Sequence, residues 1–252
     1  MSGAAGVADS RAALHGVMFD MDGLLVDTEP LWFEAEREIM ARLGGAWTHA
    51  DQAELVGGSL AESLTYMLAR AAPVPPNGVP HPARWPPDET TVGGWLVDSI
   101  TGLIAARGAR LMPGAAELLA EVTQAGVPCA LVTSSQRPVM DAVLGHLAAA
   151  PGARRTGPFD VTVCAADVAR TKPHPEPYLL AAELLGADPV SCVVLEDSPN
   201  GVASAEAAGC VVVVVPGVAA VPLRQGRTVV PSLREVSAGW LRHLVASRHA
   251  SR

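Results

Sequence analysis

Short apolar runs recur along the chain, and each is followed by a polar residue and then by a stretch with helical spacing. They lie at 17–19 (VMF), 128–133 (PCALVT), 161–164 (VTVC), 192–195 (CVVL) and 211–215 (VVVVV). Valine-rich runs this short predict strands buried on both faces, as in a parallel sheet. The segments 113–125, 136–147, 177–185 and 199–208 read as helices. Three of them open with proline, and Gly126, Gly186 and Gly209 stop them. In the remaining one, Val139, Met140, Val143, Leu144 and Leu147 form one stripe. Alternating strands and helices predict an α/β fold with a doubly wound parallel sheet. Such sheets bind ligands at the carboxyl ends of their strands.

The alternation breaks between residues 30 and 110, where no strand run occurs. Helical spacing returns at 31–43, 59–71 and 92–106, and the proline-rich stretch 73–87 (PVPPNGVPHPARWPP) predicts a long irregular loop. The expected organisation is an α/β core from 1–29 and 111–252, with an inserted α-helical domain at 30–110. A chain of 252 residues that is 49% hydrophobic has ample apolar material for both.

Charge narrows the function. The formal net charge of -8 and the absence of a basic stripe argue against a nucleic-acid partner. No apolar run approaches the ~20 residues needed to span a bilayer. The N-terminus lacks a basic segment followed by an apolar one, so no signal peptide, a cytoplasmic location and, by default, a monomer are expected. Cys129, Cys164, Cys192 and Cys210 are widely spaced and lie in or beside apolar runs, which predicts buried free thiols rather than a zinc site. Lys172 is the only lysine, so a function that needs one has a single candidate.

The ends of the apolar runs carry the candidate chemistry. The first gives Asp20-Met21-Asp22-Gly23, the second Thr133-Ser134-Ser135, and the fourth Glu196-Asp197; Lys172 follows the third. A single such residue reads as a turn or cap residue, but in a parallel sheet all four ends converge on one crevice.

This set resembles the phosphohydrolase branch of the haloacid dehalogenase superfamily. The likeness rests on FDMDGLLVDTEP from Phe19, LVTSS from Leu131, KPHPEPY from Lys172 and LEDSPNG from Leu195. The inserted region matches the family's α-helical cap by position more than by motif. The resemblance implies Asp20 as nucleophile, forming an aspartyl phosphate, and Asp22 as general acid and base. It implies one Mg²⁺ held by the Asp20 carboxylate, the Asp22 carbonyl and Asp197, with Glu196 binding directly or through water. Thr133, the Ser134 amide and Lys172 would hold the phosphoryl oxygens, with Gly23 freeing the backbone and Ser135 beside them. The partner is then a small phosphorylated metabolite.

Comparison within the superfamily favours a phosphomonoesterase. Dehalogenases do not use the second aspartate, which is present here, and phosphonatases need a cap lysine, which 30–110 lacks. Mutases similar to β-phosphoglucomutase are the alternative. They carry a basic cap loop and a histidine after the first motif; the corresponding residues here are the uncharged 56–60 (VGGSL) and Trp32. The run DTEPLW from Asp27 resembles phosphatases of sugar and polyol phosphates. Glu29, Trp32, Glu36, Trp47 and Ser59 are the expected cap contacts, with core packing the competing reading for both tryptophans. His49, His81 and His174 attract no role.

Overall fold

The valine-rich runs become strands in the computed structural model, which describes residues 13–55, 57–76, 85–147, 157–224 and 227–250. The strands are β1 (Gly16–Phe19), β2 (Val26–Asp27), β3 (Arg110–Leu111), β4 (Cys129–Val132), β5 (Val161–Val163), β6 (Cys192–Glu196), β7 (Val211–Val214) and β8 (Thr228–Val229). The helices are α1 (Glu29–Arg42), α2 (His49–Leu55), α3 (Leu60–Leu68), α4 (Glu89–Arg107), α5 (Ala115–Gln124), α6 (Arg137–Leu147), α7 (Glu176–Leu185), α8 (Pro199–Ala207) and α9 (Ala238–Ala250).

Six strands form one all-parallel sheet in the order β5-β4-β1-β6-β7-β8. Phe19 pairs with Leu131 on one side and Leu195 on the other, so the ends of β1, β4 and β6 are level. Alternate residues of each strand feed opposite layers. Phe19, Leu131 and Leu195 pack with buried residues of α5, α6 and α9, whereas Met18, Val132 and Val194 pack with Tyr178 and Ala181 of α7 and Val202 of α8. Burial on both faces is why these strands read as continuous apolar runs rather than as alternating ones.

Helices α1 to α4 lie between β2 and β3, which pair antiparallel. Ile39, Met40, Met67, Leu96 and Ile100 give them a buried interior. Arg110 reaches Asp27 at 2.5 Å across the β2–β3 pair, and Arg107 reaches Glu34 at 2.6 Å between α4 and α1. No helix among the described residues is long and apolar enough to cross a membrane, and all four cysteines are buried and free.

The anticipated helices form, with ends within three residues of the expected ones. Helix α2 was not anticipated; it has no buried residue, so it leaves no apolar stripe to read. The short strands β2, β3 and β8 also escape the pattern, since two residues carry no periodicity. Residues 77–84 of the proline-rich stretch, with His81, and Val56 of the cap loop lie outside the described residues. The tail from Ser237, open between a helix and a frayed end in the sequence, is α9, with Leu241 and Val245 wholly buried in the core.

Leu241→Ala tests that docking. The loss of a buried leucine should lower unfolding free energy by about 2–5 kcal/mol in a urea titration. A change no larger than that of an exposed substitution would show that α9 contributes nothing to the core.

Candidate active site

The four strand ends meet at one place. The Asp20 N–H donates to the Leu195 carbonyl at 3.1 Å, which ties the end of the central strand to its neighbour. The chain then turns: the Gly23 N–H donates to the Val26 carbonyl at 2.9 Å, and Gly23 adopts φ +81°. A Cβ there would stand 2.4 Å from Asp197 Oδ2, so glycine is required both by the left-handed backbone and by the carboxylate beside it.

Lys172 sits at the centre, almost wholly buried. Its Nζ donates to Asp20 Oδ1 at 2.5 Å, to Glu196 Oε1 at 2.7 Å and to the Val132 carbonyl at 2.9 Å. Its loop is fixed from behind, because the Ser204 hydroxyl donates to the His174 carbonyl at 2.6 Å. Burial works against the ammonium, but the facing carboxylates of Asp20 and Glu196 outweigh it and push the amine above its usual range.

Glu196 is fully buried and both of its oxygens are taken. Oε1 accepts from Lys172 and from the Tyr178 hydroxyl at 2.7 Å; Oε2 accepts from the N–H groups of Asp197 and Ser198 and from the Ser198 hydroxyl. A Cβ on Gly201 would lie 1.7 Å from Oε1, which explains the glycine of the SPNG turn. Tyr178 escaped notice as a functional residue, although it ends the KPHPEPY run; only the fold carries its hydroxyl from α7 to the end of β6.

Asp22 is held by four donors. Thr28 Oγ1 at 2.6 Å and Trp32 Nε1 at 3.2 Å donate to its Oδ1; Thr133 Oγ1 at 3.2 Å and Ser135 Oγ at 2.8 Å donate to its Oδ2. Ser135 and Trp32, expected at the substrate, touch the second aspartate. They and Thr133 still line the cavity, together with Ser134. The sequence did not point to Thr28.

The cavity's other wall comes from the helices between β2 and β3. Glu29, Trp32, Glu36 and Ser59 line it, as expected. Ser59 also caps α3: its hydroxyl accepts from the Glu62 N–H, while the Glu62 carboxylate accepts from the Ser59 N–H. Trp47 does not line the cavity; it is buried, and its Nε1 donates to Glu36 Oε2 at 2.9 Å. Asn200 Nδ2, which was not anticipated, donates to the Gly57 carbonyl at 2.9 Å and joins the two walls.

One oxygen of Asp20, Glu196 and Asp197 each lies within 4.8 Å of the others. Three ionised carboxylates facing one ammonium would leave an excess of two negative charges in a buried place. Asp197 Oδ1 is buried without a hydrogen-bond partner. Burial, offset in part by Lys172 and reinforced by Glu196 and Asp22, pushes the Asp20 carboxyl up to about 8. Burial together with Asp20 and Glu196 pushes Asp197 up to about 9. An orphaned carboxylate oxygen within an all-oxygen, charge-deficient cluster fits a hard divalent cation.

A melting series tests this. In chelator, the two raised carboxyls bind more protons folded than unfolded, so Tm should fall as pH rises from about 6 to about 9. A divalent cation replaces those protons, and the stabilisation it brings should therefore grow across the same window. Asp197→Asn should remove most of that gain; an undiminished gain would place the metal elsewhere.

The family described as haloacid dehalogenase-like hydrolase matches residues 14–209. Hexitol phosphatase A of Escherichia coli (strain K12) is 34% identical over 223 residues, 88% of this chain and 93% of that protein. Hexitol phosphatase B of the same strain is 32% identical over 200 residues, 79% of this chain and 82% of that one. The crystal structure of CbbY from Rhodobacter sphaeroides in complex with phosphate matches with a TM-score of 0.75 at 29% identity, over 88% of this chain and 96% of that one. A mutant of CbbY has been crystallised with xylulose-(1,5)bisphosphate. The chain belongs to the haloacid dehalogenase-like hydrolases and is a phosphatase of that family.

Proposed function

We propose that this chain is a cytoplasmic Mg²⁺-dependent phosphomonoesterase that hydrolyses a sugar or polyol phosphate through an aspartyl phosphate on Asp20. The observation that carries the reading is the placement of Asp20 and Asp22 at the end of the central strand, with Lys172 bonded to the first and four donors on the second. The segment 30–110 serves as the cap of residues 1–29 and 111–252.

Asp20 attacks phosphorus and the ester P–O bond breaks, while Asp22 gives its proton to the departing alcohol. Asp22, now a carboxylate, takes a proton from water. That water attacks the phosphorus of the aspartyl phosphate and releases inorganic phosphate and free Asp20. Asp20, the Asp22 carbonyl and Asp197 would hold Mg²⁺, which would supply positive charge against the phosphoryl dianion. We assign Glu196 to anchoring Lys172 rather than to the metal, since protein donors occupy both its oxygens. Lys172 keeps Asp20 aimed and offsets charge on the phosphoryl group; Thr133 and Ser134 offer it further donors. The cap wall excludes bulk water.

Trp32 holds Asp22 with an indole N–H that never titrates. It stands where the mutases carry histidine, and it positions the acid and base without exchanging a proton of its own.

Phosphate release from sugar, polyol and nucleotide monophosphates should require Mg²⁺, stop in EDTA, and disappear in a folded Asp20→Asn variant. Turnover surviving in that variant would remove Asp20 as nucleophile. Trp32→Phe should lower kcat roughly 10-fold with little change in KM, about the worth of one hydrogen bond to a charged group. A change confined to KM would make Trp32 a substrate contact instead.

A further inference from the structure

Glu29, Trp32 and Glu36 fall on one face of α1, three and four residues apart, and this face forms part of the cap wall. Trp32 is spent on Asp22, which leaves two carboxylates facing the space where the alcohol half of the substrate must sit. Glu36 is only 6% exposed; its one hydrogen bond among the described residues is from Trp47 to Oε2. Glu29 Oε2 accepts from Gln52 Nε2 at 3.2 Å. Neither carboxylate has an ion-pair partner among the described residues, and Lys172, already shared between Asp20 and Glu196, is the only cation among the residues that line the cavity. Burial and neighbouring acids raise both carboxyls, Glu29 to about 7 and Glu36 to about 8. Both are therefore charged only above about pH 8, where the wall carries two negative charges with no cation beside them among the described residues.

We propose that Glu29 and Glu36 make this wall a charge filter, which admits phosphomonoesters whose alcohol half is neutral and hydroxyl-rich and rejects those bearing a second phosphate or a carboxylate. The proposal rests on the phosphatase reading and names the substrate class within it. Sugar and polyol hydroxyls donate to carboxylate oxygens, which satisfies buried acceptors that otherwise have few partners. With both glutamates ionised, a second anionic group meets like charge in a desolvated place with no cation beside it among the described residues, and discrimination follows from that repulsion. The chain thereby departs from the CbbY mutant, whose structure holds a bisphosphate.

Matched pairs test the filter in the Mg²⁺-loaded enzyme at about pH 9, where both glutamates are ionised: glucose 6-phosphate against glucose 1,6-bisphosphate, xylulose 5-phosphate against its 1,5-bisphosphate, and glycerol 3-phosphate against 3-phosphoglycerate, with p-nitrophenyl phosphate as a reference. The neutral member of each pair should have the higher kcat/KM, by on the order of 100-fold. Glu36→Gln keeps an acceptor for Trp47 while removing the charge, and should shrink that ratio by roughly 10-fold or more. Glu29→Gln should act in the same direction and serves alone if Glu36→Gln melts early. Hydrolysis of p-nitrophenyl phosphate with equal rates within the pairs would overturn the filter and leave the phosphatase reading standing. Ratios unchanged in both variants would overturn the assignment to these glutamates. No release from any compound, the p-nitrophenyl ester included, would overturn the phosphatase reading and the filter with it.

Discussion

The site depends on one buried ammonium. Lys172 Nζ reaches a carboxylate from β1, a carboxylate from β6 and a carbonyl from β4, so a single cation ties together the ends of three adjacent strands. Without it, Asp20 and Glu196 would be buried beside each other with no compensation, a far costlier state than two carboxylates sharing a positive charge. The compensation is incomplete by design of the cluster: Asp197 keeps an orphaned oxygen, and the deficit of positive charge is what suits the place to a divalent cation and then to a phosphoryl dianion. An arginine fork, planar and bulkier, does not replace a compact donor serving three separate acceptors.

Around that centre the polar groups divide into two sets with different work. Glu196 is saturated by Lys172, Tyr178, Ser198 and the backbone, and Asp22 is oriented by Thr28, Trp32, Thr133 and Ser135, whereas Asp197 keeps an oxygen without a partner. Such division lets a strongly acidic crevice hold its shape, because its carboxylates are anchored by donors from several elements. It also gives the tertiary fold a reason for its Gly23 and Gly201, where a side chain would collide with Asp197 or Glu196.

The half of the cavity lined by the helices between β2 and β3 works by the opposite logic. Its acids lack cations, its polar donors are uncharged, and its tryptophans are turned to positioning: Trp32 toward Asp22 and Trp47 toward Glu36. In the proposed reading, charge at the core end together with a metal favours the phosphoryl group, and charge at the other wall disfavours a second anion. The Asn200 Nδ2 bond to the Gly57 carbonyl joins the two walls.

The chain's own pattern determined a good deal. Continuous valine-rich runs specify strands covered on both faces, the proline and glycine signals bound most helices, and the break in the strand pattern coincides with α1 to α4. The convergence of Asp20, Asp22, Thr133, Lys172 and Asp197 on one place was legible because a parallel sheet brings its carboxyl ends together whatever the loops do. What only the tertiary structure decided are the partnerships. Local sequence cannot say that Ser135 bonds Asp22, that Tyr178 reaches Glu196 from α7, or that Trp47 supports a cavity it does not touch. These are contacts between residues distant in the chain, set by register and packing. Helix α2 and the two-residue strands stayed hidden for a related reason: they bury too little to leave a period, and they exist because the packed elements around them hold their ends in place.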